Sequence, residues 1–163
     1  METTHLEGIQ QLRGLINRGD VAMLCTIHED HIRSRPMATS DIDEEGNIWF
    51  FTDEHSHTTQ QLNKNHRITL SYSDHLNGIY LCLNGSASVV KDKNKMEKLF
   101  NAVAYEFFPK GLDDPKIALL KVEPKHAEYW DSRDNTMVNF IGILGSSLTE
   151  HLQAHISHKE IDL

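Results

Sequence analysis

The sequence predicts one α+β domain built around an antiparallel β-barrel. About six strand-like segments follow one another, most of them joined by short turns, and helical periodicity appears between some of them. A doubly wound parallel sheet needs a helix between consecutive strands, and the turns between the first predicted strands are too short to hold one. We therefore expect an antiparallel sheet with flanking helices.

The first part of the chain alternates short apolar runs with turn sequences. Apolar residues at helical spacing predict an amphipathic helix over 4–17. Strands are predicted at 21–27, 31–39 and 48–52, with hairpin turns between them. The polar segment 54–65 is expected to form a short helix.

The second part continues the same pattern up to a weaker C-terminal region. Strands are predicted at 67–73, 79–90, 117–123 and 127–130. Asp92 is expected to begin one helix that includes Val103 and stops at Pro109. Gly85 marks a bend within its strand. A terminal helix is predicted over 148–158.

Composition narrows the class of protein. The chain has 163 residues, a net charge of -8 and 39% hydrophobic residues, so it can bury a substantial core and is a poor match for nucleic acid or an anionic membrane. The N-terminus lacks the pattern of a signal peptide, and no apolar run is long enough to span a bilayer. Cys25 and Cys82 both lie in apolar runs, which indicates buried thiols in a reducing compartment. We expect a cytoplasmic protein.

The segment 31–39 contains the residue types that indicate a binding site. If it is a strand, Arg33, Arg35 and Met37 share one face, because alternate residues of a strand point the same way. Two guanidinium groups and a thioether suit an anion attached to a flat apolar body, such as flavin mononucleotide (FMN). The alternative is an ordinary edge strand with solvated arginines and a proline that blocks further pairing.

Other familiar binding motifs are absent. The chain has neither a Gly-x-Gly-x-x-Gly sequence nor a P-loop, so a phosphate would have to be held by side chains and turn amides. The histidine groups do not lead us to a metal site, because no carboxylate occupies a complementary position in their segments. These groups are His55 with His57, and His151 with His155 and His158.

Several short motifs occur in one order with regular gaps. They are Arg-Ser-Arg-Pro-Met at 33–37, Trp-Phe-Phe-Thr at 49–52, a helix start at Ser56, Leu-Asn-Gly-Ser-Ala at 83–87, Phe-Phe-Pro-Lys-Gly at 107–111, and Glu-Pro-x-x-Ala-Glu-Tyr-Trp at 123–130. The ordered set resembles the pyridoxamine 5'-phosphate oxidase-like, FMN-binding split barrels, and most closely the general stress protein 26 type. The resemblance covers about residues 5–132.

This resemblance implies a six-stranded antiparallel split barrel that forms a homodimer. Two FMN molecules would lie in the dimer clefts, each in contact with both chains. Residues 1–132 would be the FMN-binding split-barrel domain, and 133–163 would be a C-terminal tail of the same domain.

The resemblance also implies eleven cofactor-binding positions, and no catalytic or metal-binding residue. Arg35 would contact the phosphate with Arg33 nearby, residues 36–38 would lie along the flavin, and the helix start would receive the phosphate. Trp130 would approach the ring system. The positions are Arg33, Arg35, Pro36, Met37, Ala38, Phe51, Thr52, Ser56, His57, Thr58 and Trp130.

Two departures from the family pattern affect these expectations. The family commonly has a lysine two residues after the serine, where this chain has Thr58, and His57 is only partly charged near neutral pH. Weaker flavin binding, or another ligand such as haem or a deazaflavin, stays open. The chain also lacks the basic C-terminal segment that contacts pyridoxal phosphate, so we do not expect pyridoxamine phosphate oxidase activity.

Three functions remain open at this stage. The first is a flavin-dependent oxidoreductase with a stress-related role, in which the flavin carries the chemistry. The second is a non-catalytic flavin binder or sensor. The third is a structural dimer without a ligand, whose arginines form salt bridges.

Overall fold

The computed structural model describes residues 2–131 and 157–161. Its helices are α1 (Glu2–Leu15), α2 (His57–Lys64), α3 (Lys93–Leu99) and α4 (Ala102–Phe107), with a 3₁₀ turn at Gly111–Asp113. Its strands are β1 (Val21–His28), β2 (His31–Ala38), β3 (Asp41–Ile42), β4 (Ile48–Asp53), β5 (Arg67–Asp74), β6 (Ile79–Val90), β7 (Ile117–Asp131) and β8 (Ser157–Ile161).

The strands form one antiparallel sheet in the order β2-β1-β5-β6-β7-β4-β3, and β8 pairs with the C-terminal part of β7, beyond the part that pairs with β4. The predicted antiparallel α+β class is confirmed. The strand number differs, since the described residues form eight strands where six were expected. The difference arises from the two-residue strand β3 and from β8, neither of which has a clear apolar pattern in the sequence.

One long strand replaces the two strands predicted around Pro124. β7 runs through Pro124, and its pairing with β6 shifts register between Asn84 and Gly85, at the predicted bend. Proline lacks a backbone donor and is tolerated where a ladder is irregular. Gly85 is required there because a Cβ atom would overlap the carbonyl oxygen of Glu123.

The single helix predicted from Asp92 through Val103 is wrong. The helix ends at Leu99, and the backbone turns extended at Phe100 before α4 begins. The Asn101 side chain accepts a hydrogen bond from the Ala104 amide at 2.9 Å, so it caps a new helix.

The predicted terminal helix over 148–158 cannot be compared over most of its length. Residues 148–156 lie outside the described part of the chain. Its last two residues, Ser157 and His158, belong to β8 and are therefore not helical.

Two apolar clusters stabilise the sheet. The larger lies inside the barrel and contains fully buried side chains such as Leu24, Phe50 and Leu83. The smaller packs α3 against the other side of β4 and β7, with Trp49 and Leu119 among its members. Both faces of β4 are therefore covered by the chain itself. No helix in the described segments combines the length and apolar character needed to cross a bilayer.

Candidate functional site

A pocket of about 550 Å³ lies where β2, β4, α2 and α4 meet. Nine of the eleven positions predicted from the sequence lie in its lining, although they come from three separate segments. They are Arg35, Pro36, Met37, Ala38, Phe51, Thr52, Ser56, His57 and Thr58. The structure therefore brings most of the predicted site to one place.

The register of β1 and β2 explains why Arg35 reaches the pocket. Leu24 lies opposite Arg35, and Ala22 lies opposite Met37. Both β1 residues are fully buried, so this face of the hairpin points to the interior. Arg35 and Met37 are partly buried on that face, in agreement with the alternation predicted from the sequence.

The Arg35 guanidinium is held by two neutral side chains. Nη1 donates to Thr26 Oγ1 at 2.8 Å, and Nη2 donates to Gln61 Oε1 at 2.8 Å. Thr26 Oγ1 in turn donates to Gln61 Oε1 at 2.6 Å, which closes a ring of three hydrogen bonds. Thr26 and Gln61 are both buried. These bonds fix the guanidinium relative to β1 and α2.

No carboxylate compensates the charge of Arg35 within residues 2–131, since none of the ion pairs formed there includes it. Burial lowers the pKa of Arg35 below its ordinary value, because removal of water disfavours the charged form. The side chain is nevertheless cationic, because arginine does not lose its proton in proteins. The pocket therefore contains a partly buried positive charge whose hydrogen bonds within residues 2–131 go to neutral groups.

The start of α2 forms the adjacent wall. Ser56 is the N-cap, and its hydroxyl accepts from the Thr59 amide at 3.2 Å. Thr59 Oγ1 donates to the Asp53 carbonyl at 2.9 Å, which ties the helix to the end of β4. The first amides of a helix, here those of His57 and Thr58, have no partner within the helix and favour an anion.

One acidic residue also lines the pocket. Asp53 ends β4, and its carboxylate accepts from the His55 amide at 2.7 Å. Its negative charge opposes the attraction that Arg35 exerts on an anion. Arg35 and Asp53 therefore act in opposite directions on an anion in this pocket.

Sequence reasoning missed the wall formed by α4. Val103, Ala104 and Phe107 line the pocket, and Phe107 is 73% exposed. The missed signal was Asn101, a residue that commonly begins helices. It also missed Gln61 and Thr26, because nothing in the sequence indicates which buried polar residues meet Arg35.

Two predicted residues do not reach this pocket. Arg33 is exposed near the turn of the β1–β2 hairpin, and Trp130 is buried on β7 beside Tyr80 of β6. Their contacts with a cofactor stay predictions, and these contacts would require a second subunit.

A larger groove of about 1000 Å³ includes Cys25 and Ile27, on the opposite face of β1. It contains none of the eleven predicted positions.

The sheet topology and the pocket define this protein as an antiparallel split barrel with a candidate anion site. The model of the family described as "Pyridoxamine 5'-phosphate oxidase like" matches residues 7–153. The chain belongs to this family. No curated protein matches the chain.

Solved structures share the fold. The protein related to general stress protein 26 from Clostridium acetobutylicum is 21% identical, with a TM-score of 0.66 over 78% of this chain and 90% of that chain. The general stress protein 26 from Bacillus anthracis is 21% identical, with a TM-score of 0.64 over 79% and 94%. The general stress FMN/FAD-binding protein from Xanthomonas citri is 21% identical, with a TM-score of 0.67 over 89% and 100%.

Proposed function

We propose that this protein binds FMN in the pocket and acts as a flavin-dependent oxidoreductase with a stress-related role. The observation that carries the proposal is the partly buried charge of Arg35, which forms no ion pair within residues 2–131 and lies beside the first turn of α2. A guanidinium and helix amides together form a well-known type of phosphate receptor.

The rest of the pocket fits the flat part of a flavin. Met37, Ala38 and Phe107 supply apolar surface, and Thr52 supplies a hydroxyl. The volume of about 550 Å³ falls within the range of roughly 300–1,000 Å³ that is usual for ligand sites. The name of the Xanthomonas citri protein, which describes FMN/FAD binding, supports the same ligand class.

In this proposal the chain and the cofactor have different roles. Bound flavin supplies hydride or electron transfer. Arg35 and the start of α2 would hold the phosphate and thereby fix the position of the ring. Residues 36–38 and α4 would cover the ring and exclude water from it. We assign no catalytic residue.

A homodimer is part of this proposal. The apolar strands 48–52 and 79–83 do not require a partner, because Phe50, Leu81 and Leu83 are buried within the chain. Within the described residues, an exposed apolar surface lies instead on the outward side of the β1–β2 hairpin. It consists of Val21, Met23, Ile27 and Ile32, with Ile32 70% exposed.

Light scattering at micromolar concentration tests the dimer. A second copy packed on this surface gives a dimer mass for the parent and for Leu76→Glu, because Leu76 is 98% exposed elsewhere on the chain. Ile32→Glu should shift the mass toward the monomer, since association would bury its charge. A monomeric parent, or a dimer unaffected by Ile32→Glu, would argue against this interface.

An absorbance spectrum of the purified protein, with mass analysis of any released ligand, tests the cofactor. Flavin bands and a mass equal to FMN are the expected result. A haem or deazaflavin spectrum would show that the pocket binds that ligand and not FMN. Failure to bind added FMN would favour a structural protein without a ligand. Oxidation of a reduced nicotinamide by the holoprotein then separates an oxidoreductase from a non-catalytic flavin binder.

A further inference from the structure

Within residues 2–131, no acidic side chain forms an ion pair with Arg35. Its two contacts within the described chain are a hydroxyl, Thr26 Oγ1, and an amide oxygen, Gln61 Oε1. Gln61 is 8% exposed and lies on the inward side of α2, two residues beyond Thr59. A glutamate there would have the same shape and would pair with the guanidinium in a partly buried salt bridge.

The directions of the three hydrogen bonds follow from chemistry. A guanidinium has only donors, so the Gln61 amide must present its oxygen to Arg35. The Gln61 oxygen has no proton, so the Thr26 hydroxyl donates to it while the Thr26 oxygen accepts from Nη1. Each member of the ring therefore has one consistent role, and within residues 2–131 no other hydrogen bond uses the remaining N–H groups of the guanidinium.

We infer that Gln61, with Thr26, is the specificity-determining residue of this site, because it positions Arg35 without neutralising it and so selects phosphorylated over neutral flavins. This inference rests on the proposed function, in which Arg35 contacts the cofactor phosphate. Gln61 is a positioning residue, since it does not itself line the pocket. It acts on the ligand only through the charge and orientation of the guanidinium.

The test measures the ratio of FMN affinity to riboflavin affinity in four variants of the full chain. Gln61→Glu places a carboxylate against Arg35 with little change of shape and should lower the ratio by about tenfold or more, with riboflavin affinity nearly unchanged. Thr26→Val removes one anchor and should lower the ratio by about threefold or more. Gln60→Glu is the matched control, since it adds the same charge on the same helix at an exposed position outside the pocket, and Arg35→Ala is the reference.

The outcomes separate this inference from the function on which it rests. If Arg35→Ala lowers the ratio and neither Gln61→Glu nor Thr26→Val does, the role of Gln61 is overturned and the phosphate assignment stands. If Gln61→Glu weakens both flavins equally, the residue is merely structural and the inference is also overturned. If Arg35→Ala leaves the ratio unchanged, the phosphate assignment itself fails. Should Gln61→Glu not fold, Thr26→Val decides between the first two results.

Discussion

Replacement of Arg35 by alanine is the most direct test of the proposed site. Hydrogen bonds to charged groups contribute about 1.5–3 kcal/mol, so Arg35→Ala should weaken FMN by roughly ten- to a hundredfold. Riboflavin has no phosphate and should lose far less affinity. Quenching of flavin fluorescence on binding measures both affinities with the same protein sample.

The structure also sets the stability cost of this change. Arg35→Ala removes two hydrogen bonds of a charged guanidinium, each worth about 1.5–3 kcal/mol, and leaves the bond between Thr26 and Gln61 in place. Because Arg35 is only partly buried, we expect a loss near the lower end of this range, about 3 kcal/mol in the free energy of unfolding, with the fold retained. Urea unfolding of parent and variant checks this value.

Arg33→Ala is the matched control for that experiment. Arg33 lies two residues away on the same strand face, is exposed, and does not line the pocket. It should weaken FMN less than Arg35→Ala does. An Arg35→Ala protein that binds FMN as tightly as the parent would refute the phosphate assignment and the site built on it.

Three further predictions concern charge in and near the pocket. Thr58→Lys should tighten FMN by about tenfold at every pH, because it restores the full charge that the family commonly has, and equal affinity in both proteins would contradict the argument. Asp53→Asn should tighten FMN by about three- to tenfold and leave riboflavin unchanged, because a Coulomb repulsion of about 1 kcal/mol is removed; calorimetric titration measures it. Burial raises the pKa of Tyr72, whose hydroxyl lies 2.8 Å from that of Thr39. The unfolded chain then loses this proton near pH 10 while the folded protein keeps it, so the free energy of unfolding should decrease above about pH 10, and less so in Tyr72→Phe.

The antiparallel class could be predicted because it depends on local signals. Turn residues, strand-length apolar runs and the alternation around Arg35 are all readable within a few residues of sequence. The number of strands was harder to predict from the sequence. Pro124 indicates a strand boundary locally, but the irregular pairing at Gly85 lets β7 continue through it.

The same distinction between local and long-range signals applies to the candidate site. Residues 35–38 and 56–58 could be chosen because they occur in compact motifs that a resemblance can transfer. Gln61 and Thr26 could not, since they are thirty-five positions apart and meet only when α2 packs on β1. α4 was hidden inside a longer helical pattern that Asn101 interrupts.

Because the helix is broken between α3 and α4, one helix packs on the sheet and the other lines the pocket. α3 contributes Met96 and Leu99 to an apolar cluster, whereas Ala104 is the buried residue of α4 and its exposed neighbours face the pocket. Val103 and Phe107 are exposed, so they can be exchanged with little effect on the packing of the barrel. If the pocket binds a flavin as proposed, such exchanges would change the wall that a reaction partner meets and leave Arg35 and the start of α2 as they are.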